Sequence, residues 1–281
     1  MVAERGSDGG GLIAPGIDTT RPSIARVYDL FLGGKDNYES DRALYRQIVE
    51  IAPETPVWAR ENRRWLGRVI AYLARQARIS QFLDAGSGLP TAENTHQIAQ
   101  RHDPEVKVVY VDNDPSVITH GQALLVDNES TQFAAADLTD VCQVLTEPAV
   151  TKLIDFDRPV AVLLAMVLHH IEDIQDARRI VAEYADALPS GSYLAISHAV
   201  NPRDGSEADG LATAIEARFK PFFPTLTPRT PAEIATLFDG LDLVDPGLVR
   251  LFDWRHQTDE DLPDLRPAAA HLLYGAVARK P

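Results

Sequence analysis

Short apolar runs alternate with longer amphipathic stretches through the middle of this 281-residue chain. The runs are QFLDA, KVVYVD, TQFAAAD, PVAVLLAM and SYLAISHA, and the segments between them are long enough to form helices. Nearly unbroken apolar strands that alternate with helices predict a parallel sheet covered on both faces. Two later runs, LVDPGLVRLFDW and HLLYGAVAR, would complete seven strands. We therefore predict a doubly wound, mostly parallel α/β fold.

The segments outside this alternation predict additions to the sheet. Residues 1–20 are glycine-rich, without the basic start and continuous apolar segment of a signal peptide, which is typical of a disordered tail. In SIARVYDLFLGG, apolar residues at helical spacing precede two glycines and predict a helix within an N-terminal helical cap over 21–56. Residues 201–230 would be an insertion after the fifth strand. On this interpretation, residues 21–281 form a single domain.

Charge limits the partners that such a domain can bind. There are 41 Asp and Glu against 27 Lys and Arg, a net charge of −14 that opposes binding to nucleic acid unless a basic stripe offsets it. One cluster of basic residues is present, and its spacing fits the exposed face of a helix. It consists of Arg60, Arg63, Arg64 and Arg68. We therefore predict no nucleic-acid partner.

Membrane insertion and disulfide bonding are also disfavoured. The longest apolar run, Val160 to Leu168, is far shorter than the ~20 residues of a membrane span. Cys142 is the one cysteine, which excludes an internal disulfide and fits a small buried side chain in a reducing compartment. The cytoplasm is the expected location, and the sequence does not indicate an oligomeric state.

The first apolar run ends in FLDAGSGLP, which spans Phe82 to Pro90. In an open parallel sheet, ligands bind beyond the carboxyl ends of the strands, and Gly86 and Gly88 would let a ligand approach bare backbone there. A helix expected to begin near Thr91 would add unpaired N–H groups. Taken alone, the motif fits a tight turn with no ligand equally well.

Two further acids favour a ligand. Asp112 ends the second strand and follows Gly88 by 24 positions (112 − 88), close to the ~20 expected for a carboxylate that binds ribose hydroxyls. Asp137 ends the third strand. An acid at a strand end can also cap a helix, which better explains Asp114 before Pro115. Acids at successive strand ends nevertheless predict a site that binds hydroxyl and amino groups.

The residues around the turn discriminate between cofactors. A dinucleotide site usually has G-x-G-x-x-G, but Leu89 follows Gly88 directly, and the carboxylate of Asp84 would repel phosphates. S-adenosylmethionine carries an ammonium, a sulfonium, a ribose diol and an adenine amine but no phosphate, so it fits these acids. A small-molecule methyltransferase is the leading interpretation. A non-catalytic protein that binds S-adenosylmethionine as a sensor or interaction partner is the alternative, and a nucleotide-dependent oxidoreductase is less favoured.

Several motifs carry a family resemblance. DAGSGLP, YVDND and AADL resemble the glycine motif, the ribose-binding acid and the adenine-binding acid of class I S-adenosylmethionine-dependent methyltransferases. RPSIARVYDLFLGGKDNYESDR, LDAGSGLPTAENTH and LLAMVLHHI are similar to an actinobacterial S-adenosyl methyltransferase family, formerly a domain of unknown function. The resemblance implies a Rossmann-like class I sheet and S-adenosylmethionine as cofactor, and supplies no substrate. Leu89 stands where the class I loop usually has its third glycine.

The resemblance also implies a set of cofactor-binding residues, which are Asp84, Gly86, Ser87, Gly88, Asp112, Asn113, Asp137, Leu138, Tyr28 and Asn37. In this set the glycine turn faces the methionine moiety, Asp112 the ribose and Asp137 the adenine, while Asp84 acts on the amino group directly or through water. The helix of Tyr28 would lie over the cofactor, although a packed amphipathic helix fits its pattern equally well. The polar loop GGKDNY favours a functional role for Asn37.

The end of the fourth strand supplies the candidates for catalysis. Methyl transfer needs alignment in a dry cavity, and it needs a base only when the nucleophile carries a proton of high pKa. His169 and His170 would lie near the methyl group, and His198 is a weaker candidate. Adjacent residues do not easily face one ligand, so we expect one histidine to be packed or capping and no metal site.

The insertion carries three phenylalanines that fit an apolar lid over the acceptor, namely Phe219, Phe222 and Phe223. They fit equally well a contact that only docks the insertion onto the core. A lid would enclose a small, soluble methyl acceptor.

Overall fold

The computed structural model describes residues 16–256 and 265–281, and in these residues one sheet of eight strands organises the chain. The strands are β1 (Gln81–Ala85), β2 (Lys107–Asp112), β3 (Thr131–Ala135), β4 (Ala161–Ala165), β5 (Tyr193–Ala199), β6 (Asp242–Leu243), β7 (Val249–Arg250) and β8 (Leu273–Arg279). Their order is β3-β2-β1-β4-β5-β8-β6, and β7 also pairs with β8. The first five strands are parallel and β8 is antiparallel, which confirms the predicted sheet.

The far edge of the sheet differs from the prediction. The run LVDPGLVRLFDW contributes to two strands of two residues, β6 and β7, instead of one continuous strand. Pro246 and Gly247 lie between them, and proline has no N–H to continue a ladder. Leu243 pairs with Ala278 and Val249 with Gly275, so both short strands occupy the same side of β8.

Ten α-helices surround the sheet in the described residues. They are α1 (Ile24–Phe31), α2 (Glu39–Ile51), α3 (Thr55–Arg75), α4 (Thr95–Gln100), α5 (Pro115–Leu124), α6 (Val141–Thr146), α7 (Pro148–Leu153), α8 (Ile174–Ala187), α9 (Glu207–Phe219) and α10 (Pro231–Ala235). Asp114 caps α5, and Thr230 forms a capping box with Glu233 at α10. None of the described helices is long and apolar enough to cross a membrane.

Each face of the sheet buries its own apolar core. Successive side chains of a strand point to opposite faces, so Leu83 packs in one cluster and Phe82 in the other. A third cluster joins the N-terminal helices to the insertion, and it contains Val27, Phe31, Leu44, Ile48, Ala59, Phe219 and Leu226. The N-terminal cap and the insertion therefore pack against each other.

The N-terminal segment is attached to this cap. Arg26 forms a buried ion pair with Asp41 at 2.8 Å, and its guanidinium also donates to the carbonyl of Asp18 at 3.0 Å. The hydroxyl of Ser40 donates to the carbonyl of Thr19. Residues 1–15 of the predicted tail lie outside the described residues, whereas residues 16–20 make these contacts.

Two expectations about exposure are wrong. Arg68 is buried and donates to the carbonyls of Leu251 and Trp254, and it pairs with Glu61 at 2.9 Å. Because an arginine can keep its charge inside a protein when such acceptors surround it, the basic face of α3 is not wholly solvated. Cys142, in contrast, is exposed.

Candidate active site

A cavity of about 690 Å³ lies at the carboxyl ends of the parallel strands. Residues of α1, α3 and α9 line it together with the strand ends. Its volume falls in the range of roughly 300–1,000 Å³ that is usual for small-molecule sites. The strand-end acids lie in its wall, and so do the apolar side chains of the cap and the insertion.

The glycine turn after β1 forms part of the wall. Gly86 and Gly88 have φ values of +78° and +68°, in the left-handed region that favours glycine. A Cβ atom at Gly86 would lie 2.5 Å from Cγ1 of Val167, whereas one at Gly88 would meet no atom within 4 Å. The Oγ atom of Ser87 is buried and has no hydrogen-bond partner among the described residues. A bound ligand would satisfy this hydroxyl.

Asp112 ties the end of β2 to this turn. One carboxylate oxygen accepts a hydrogen bond from the N–H of Gly88 at 2.9 Å, and the other accepts from the N–H of Asp114 at 2.9 Å. Burial raises the pKa of the Asp112 carboxyl, and these N–H groups oppose the shift. Each carboxylate oxygen can accept a second hydrogen bond, so Asp112 retains capacity for ligand hydroxyls. Asn113 lines the cavity beside it.

Asp137 and Leu138 line the cavity after β3. The carboxylate of Asp137 accepts from the N–H and the hydroxyl of Thr139, at 2.9 and 2.8 Å. The hydroxyl of Tyr184 on α8 donates to the carbonyl of Leu138 at 3.0 Å. These bonds fix the backbone of the turn and the orientation of its acid.

Asp84 is nearly inaccessible to solvent, with 4% of its surface exposed. Its carboxylate accepts from the hydroxyl of Thr95 at 2.6 Å. Burial raises the pKa of the Asp84 carboxyl, and the positive charge of Arg63 partly opposes this shift. The helix expected near Thr91 begins instead at Thr95, because Asn94 forms its capping box, so the N–H groups of Thr91 and its neighbours are not those of a helix start.

Arg63, which was predicted to lie on the exposed face of its helix, lines the cavity. Its guanidinium donates to the hydroxyl of Thr91 at 3.0 Å and to the carbonyl of Glu93 at 2.9 Å. The cavity-lining residues of α3 are Thr55, Trp58, Ala59, Asn62, Arg63 and Leu66. These residues are spaced three or four positions apart, so they lie on one face of the helix. Asn62 and Arg63 could therefore have been predicted to lie on the same face as Trp58.

A chain of hydrogen bonds positions Tyr28. Its hydroxyl donates to the carbonyl of Ala59 at 3.2 Å and accepts from the side-chain amide of Asn62 at 2.9 Å. The amide oxygen of Asn62 accepts from the hydroxyl of Ser197 at 2.6 Å, and this hydroxyl accepts from the N–H of Met166 at 3.0 Å. Met166 has φ of 57°, which is uncommon for a residue other than glycine. The network links α1 and α3 to the ends of β4 and β5.

Asn37 is not brought to the cavity with the other predicted residues. Its amide donates to the carbonyl of Gly34, and its amide oxygen accepts from Arg42. The N–H of Asp36 donates to the carboxylate of the largely buried Asp29 at 3.1 Å. The loop GGKDNY therefore packs against Asp29, and the side-chain amide of Asn37 is used in contacts within the N-terminal cap.

The position of the Leu89 side chain explains why a leucine can stand where the class I loop usually has its third glycine. Its side chain is buried in the core on the α3 side of the sheet and does not line the cavity. Close approach of a ligand to the turn is therefore compatible with this residue.

His169 and His170 both line the cavity, because they lie in the one-turn 3-10 helix Leu168–His170. Both therefore line the same cavity wall, and the expectation that one of them is packed stays a prediction. Their ring centroids are 4.3 Å apart, and the ring of His169 is also 5.5 Å from that of His198. Among the described residues, no group of three or more His, Cys, Asp or Glu could hold a metal ion.

The two histidines have different surroundings. His169 is 5% exposed, and its Nδ1 atom is sealed without a partner among the described residues. His170 is less buried, and neither of its ring nitrogens is sealed or hydrogen-bonded to a described residue. Burial lowers the pKa of His170 to about 4 and that of His169 well below its ordinary value. Both rings are therefore neutral at pH 7.

Arg229 braces the histidine turn, and no sequence motif pointed to it. Its buried guanidinium donates to the carbonyls of Leu168 and Ile171 at 2.9 and 2.5 Å, and to Nε2 of His198 at 3.1 Å. Because a guanidinium only donates, Nε2 of His198 is the acceptor and Nδ1 carries the proton, which is donated to the carbonyl of Ala199 at 2.7 Å. Burial lowers the pKa of His198 to about 3.

The phenylalanines of the insertion occupy three different positions. Phe219 is buried and lines the cavity. Phe223 does not line the cavity, and its ring is 6.1 Å from that of Phe219 and 6.4 Å from that of His170. Phe222 is 44% exposed and lies outside the cavity wall. Only Phe219 of the three is placed to touch a ligand.

Comparisons with known proteins were made over the whole chain. Residues 12–281 match the model of a family described as S-adenosyl methyltransferase. The structure superposes with a TM-score of 0.87 on a proposed methyltransferase from Thermobifida fusca, which is 42% identical over 95% of this chain and 97% of that chain. A DUF574 family protein from Streptomyces avermitilis is 38% identical over 94% of this chain and 99% of that chain, with a TM-score of 0.86.

More distant structures share the fold alone. The mitomycin 7-O-methyltransferase MmcR is 14% identical, with a TM-score of 0.50 over 92% of this chain and 69% of that chain. No curated protein matches the chain.

Proposed function

The chain belongs to the S-adenosyl methyltransferase family, and from this premise we propose that its cavity holds S-adenosylmethionine beside a small-molecule methyl acceptor. The observation that carries the proposal is the composition of the cavity wall, which joins strand-end acids to apolar side chains of α1 and α9. The acids suit the cofactor, and the apolar surface remains for a second ligand.

The residues of the glycine turn fit the cofactor. The unpartnered Oγ atom of Ser87 and the absence of a side chain at Gly86 leave a polar, close approach for the methionine moiety. Asp112 and Asn113 would bind the ribose. The amino group would lie near Asp84, with Arg63 available for the carboxylate. When bound, S-adenosylmethionine supplies a methyl group activated by its sulfonium.

The adenine end and the cover complete the assignment. Asp137 and Leu138 would hold the adenine, and Tyr28 would lie over the cofactor from α1. Asn37 is not proposed as a ligand, because its amide is bonded within its own loop. The amide network through Asn62 would keep Tyr28 in place.

A small acceptor is favoured over a macromolecule. The wall combines α1, α3 and α9 with the strand ends, so an acceptor must enter a chamber formed from several sides. The net charge of −14 opposes nucleic acid. These two features support a small molecule that is enclosed beside the cofactor.

The test is methyl transfer from labelled S-adenosylmethionine in an extract of the source organism. After the reaction, the low-molecular-weight fraction is separated from RNA and protein, and label is expected in the first. Label found only in the macromolecules would contradict the proposal. S-adenosylmethionine binding with no label in any fraction would instead support the alternative of a non-catalytic sensor.

A further inference from the structure

The acceptor end of the cavity has a distinctive wall. Its apolar side chains come from three helices and the loop after α9, and they include Phe31, Trp58, Ile215, Phe219 and Leu226. The charged residues that line the cavity within the described chain are Arg63, Asp84, Asp112, Asp114 and Asp137, and all lie at the ends of strands, in the loops that follow them or on the adjacent part of α3. No charged side chain of the described residues therefore lines the apolar end.

Most polar groups at this end already have partners. The hydroxyl of Thr55 donates to the carbonyl of Ala52 at 2.7 Å, and Nε1 of Trp58 donates to the carbonyl of Ala269 at 3.0 Å. The hydroxyl of Tyr28 is bonded as described above. His170 differs, since its ring nitrogens have no hydrogen-bond partner among the described residues and are not sealed.

These features restrict what can bind. A charged acceptor would lose its hydration without gaining a counter-charge, which is strongly unfavourable. An alkyl amine is excluded by the same argument, because it is protonated at pH 7. A neutral ring or chain would gain from burial against the apolar wall.

We propose that the acceptor is an uncharged, largely apolar molecule whose reacting group is a hydroxyl hydrogen-bonded to His170. The proposal rests on the proposed function and names its substrate class. It makes His170 the proton acceptor and His169 a packed neighbour that supports its ring.

The transfer balances as follows. A bond forms between the hydroxyl oxygen and the methyl carbon while the carbon–sulfur bond breaks, and its electron pair stays on sulfur, which becomes a neutral thioether. The hydroxyl proton passes to a ring nitrogen of His170 and from there to water. The ring of His170 is unprotonated at pH 7, so a ring nitrogen has a lone pair for this proton, and its pKa of about 4 favours passing the proton on to water.

Charge selectivity is tested with three probes that share one ring system. 2-Naphthol, 2-naphthoate and 2-naphthylmethylammonium are titrated calorimetrically into the full chain saturated with S-adenosylhomocysteine. We expect naphthol to bind at least tenfold more tightly than either ion. Equal or tighter binding of an ion, or no detectable binding of naphthol, would overturn the proposal. Failure of S-adenosylhomocysteine itself to bind would contradict the proposed function instead.

The role of His170 is tested with two variants. His170→Phe keeps an aromatic ring and should lower methyl transfer to the low-molecular-weight fraction of the extract by about 10²-fold or more. Its affinity for S-adenosylmethionine should stay within about twofold, because the cofactor would not touch this ring. His170→Gln retains a hydrogen-bond acceptor and should recover part of the naphthol affinity that His170→Phe loses.

Phe222→Ala is the matched control, because this ring is exposed and lies outside the wall. It should leave both transfer and naphthol binding unchanged, whereas Phe219→Ala should weaken naphthol binding. Full transfer activity in folded His170→Phe would overturn the assignment of the proton acceptor. If His170→Phe does not fold, His170→Gln takes its place in this test. Methyl transfer and naphthol affinity equal to those of the wild type in His170→Gln would then overturn the assignment of the proton acceptor.

Discussion

At the scale of single residues, Asp112 offers the sharpest test of the cofactor site. Its carboxylate already orients the glycine turn through Gly88, and its remaining lone pairs are proposed to bind the ribose. Asp112→Ala should weaken S-adenosylmethionine binding by about 1.5–3 kcal/mol, the usual cost of losing hydrogen bonds to a charged group. Isothermal titration calorimetry measures this loss. Asp103→Ala removes an exposed acid that does not line the cavity, and this variant should bind S-adenosylmethionine normally.

Unchanged affinity in folded Asp112→Ala would remove Asp112 from the ribose site. A loss of affinity that accompanies a large drop in melting temperature would indicate that the turn had been disrupted. The variant Asp112→Asn separates the two cases, because its amide oxygen can still accept from the N–H of Gly88.

Which residues of the site were predictable depends on how local their signal is. Asp84, Asp112 and Asp137 lie at or just beyond the ends of recognisable strands, so their positions followed from the parallel sheet. Arg229 is 61 residues from Leu168 and 31 from His198, and no local pattern connects them. Ser197, which accepts from Met166 and donates to Asn62, was missed for the same reason.

At the scale of elements, the turn Leu168–His170 and the end of β5 form a pH-sensitive pair. The folded protein holds the pKa of His198 near 3, below the ordinary value of 6.5. As the pH falls from 7 to 5.5, the unfolded chain takes up a proton at this position and the folded chain does not. The free energy of unfolding should therefore decrease, by about 1 kcal/mol for one such histidine.

The measurement is urea unfolding at pH 7 and pH 5.5 for the wild type and for His198→Asn. The variant removes the titrating group, so its free energy of unfolding should fall less over this interval, whatever its stability at pH 7. An identical fall in both proteins would show that His198 does not contribute. The comparison of the two slopes cancels the change in repulsion among the acidic side chains of the surface.

The N-terminal helix and its following loop should respond differently to ligand. Ile24, Ala25, Tyr28 and Phe31 of α1 line the cavity, whereas the loop that contains Asn37 does not. S-adenosylhomocysteine should therefore slow amide hydrogen exchange in α1 and in the glycine turn, with little change at Asn37. Protection confined to the turn would mean that α1 does not cover the cofactor.

The elements that sequence analysis predicted correctly have local causes. The five parallel strands are continuous apolar runs, each recognisable without the rest of the chain. The start of α4 was placed too early because Thr91 is also a residue that caps helices. The pair Asn94 and Gln97 was the better signal, since it forms the capping box that the structure shows.

At the scale of the whole molecule, the N-terminal cap and the insertion are far apart in the sequence but share a core. Leu44 on α2 belongs to this third cluster together with Phe219 of α9. The cavity lies between this cluster and the sheet, since Phe31 and Phe219 belong to both the cluster and the cavity wall. Sequence patterns identified the pieces as helices, but their mutual packing depends on contacts across about 175 residues (219 − 44).

We predict that residues 21–281 unfold as one cooperative unit. Leu44 is 1% exposed and does not line the cavity, so Leu44→Ala creates a void in the third cluster without touching a ligand. It should lower the free energy of unfolding by about 2–5 kcal/mol.

Leu124, which is 60% exposed, supplies the control Leu124→Ala with little change expected. In a Trp58→Phe background the remaining tryptophans, Trp65 and Trp254, lie in the sheet core, so their fluorescence reports on a region remote from the substitution. Urea unfolding is followed by tryptophan fluorescence and by far-ultraviolet circular dichroism. If the two transitions of Leu44→Ala coincide and both lie at lower urea than in the wild type, the cap and the sheet fold together. If instead the two probes give separate transitions, and the fluorescence midpoint is the same as in the wild type, the cap is a separate folding unit.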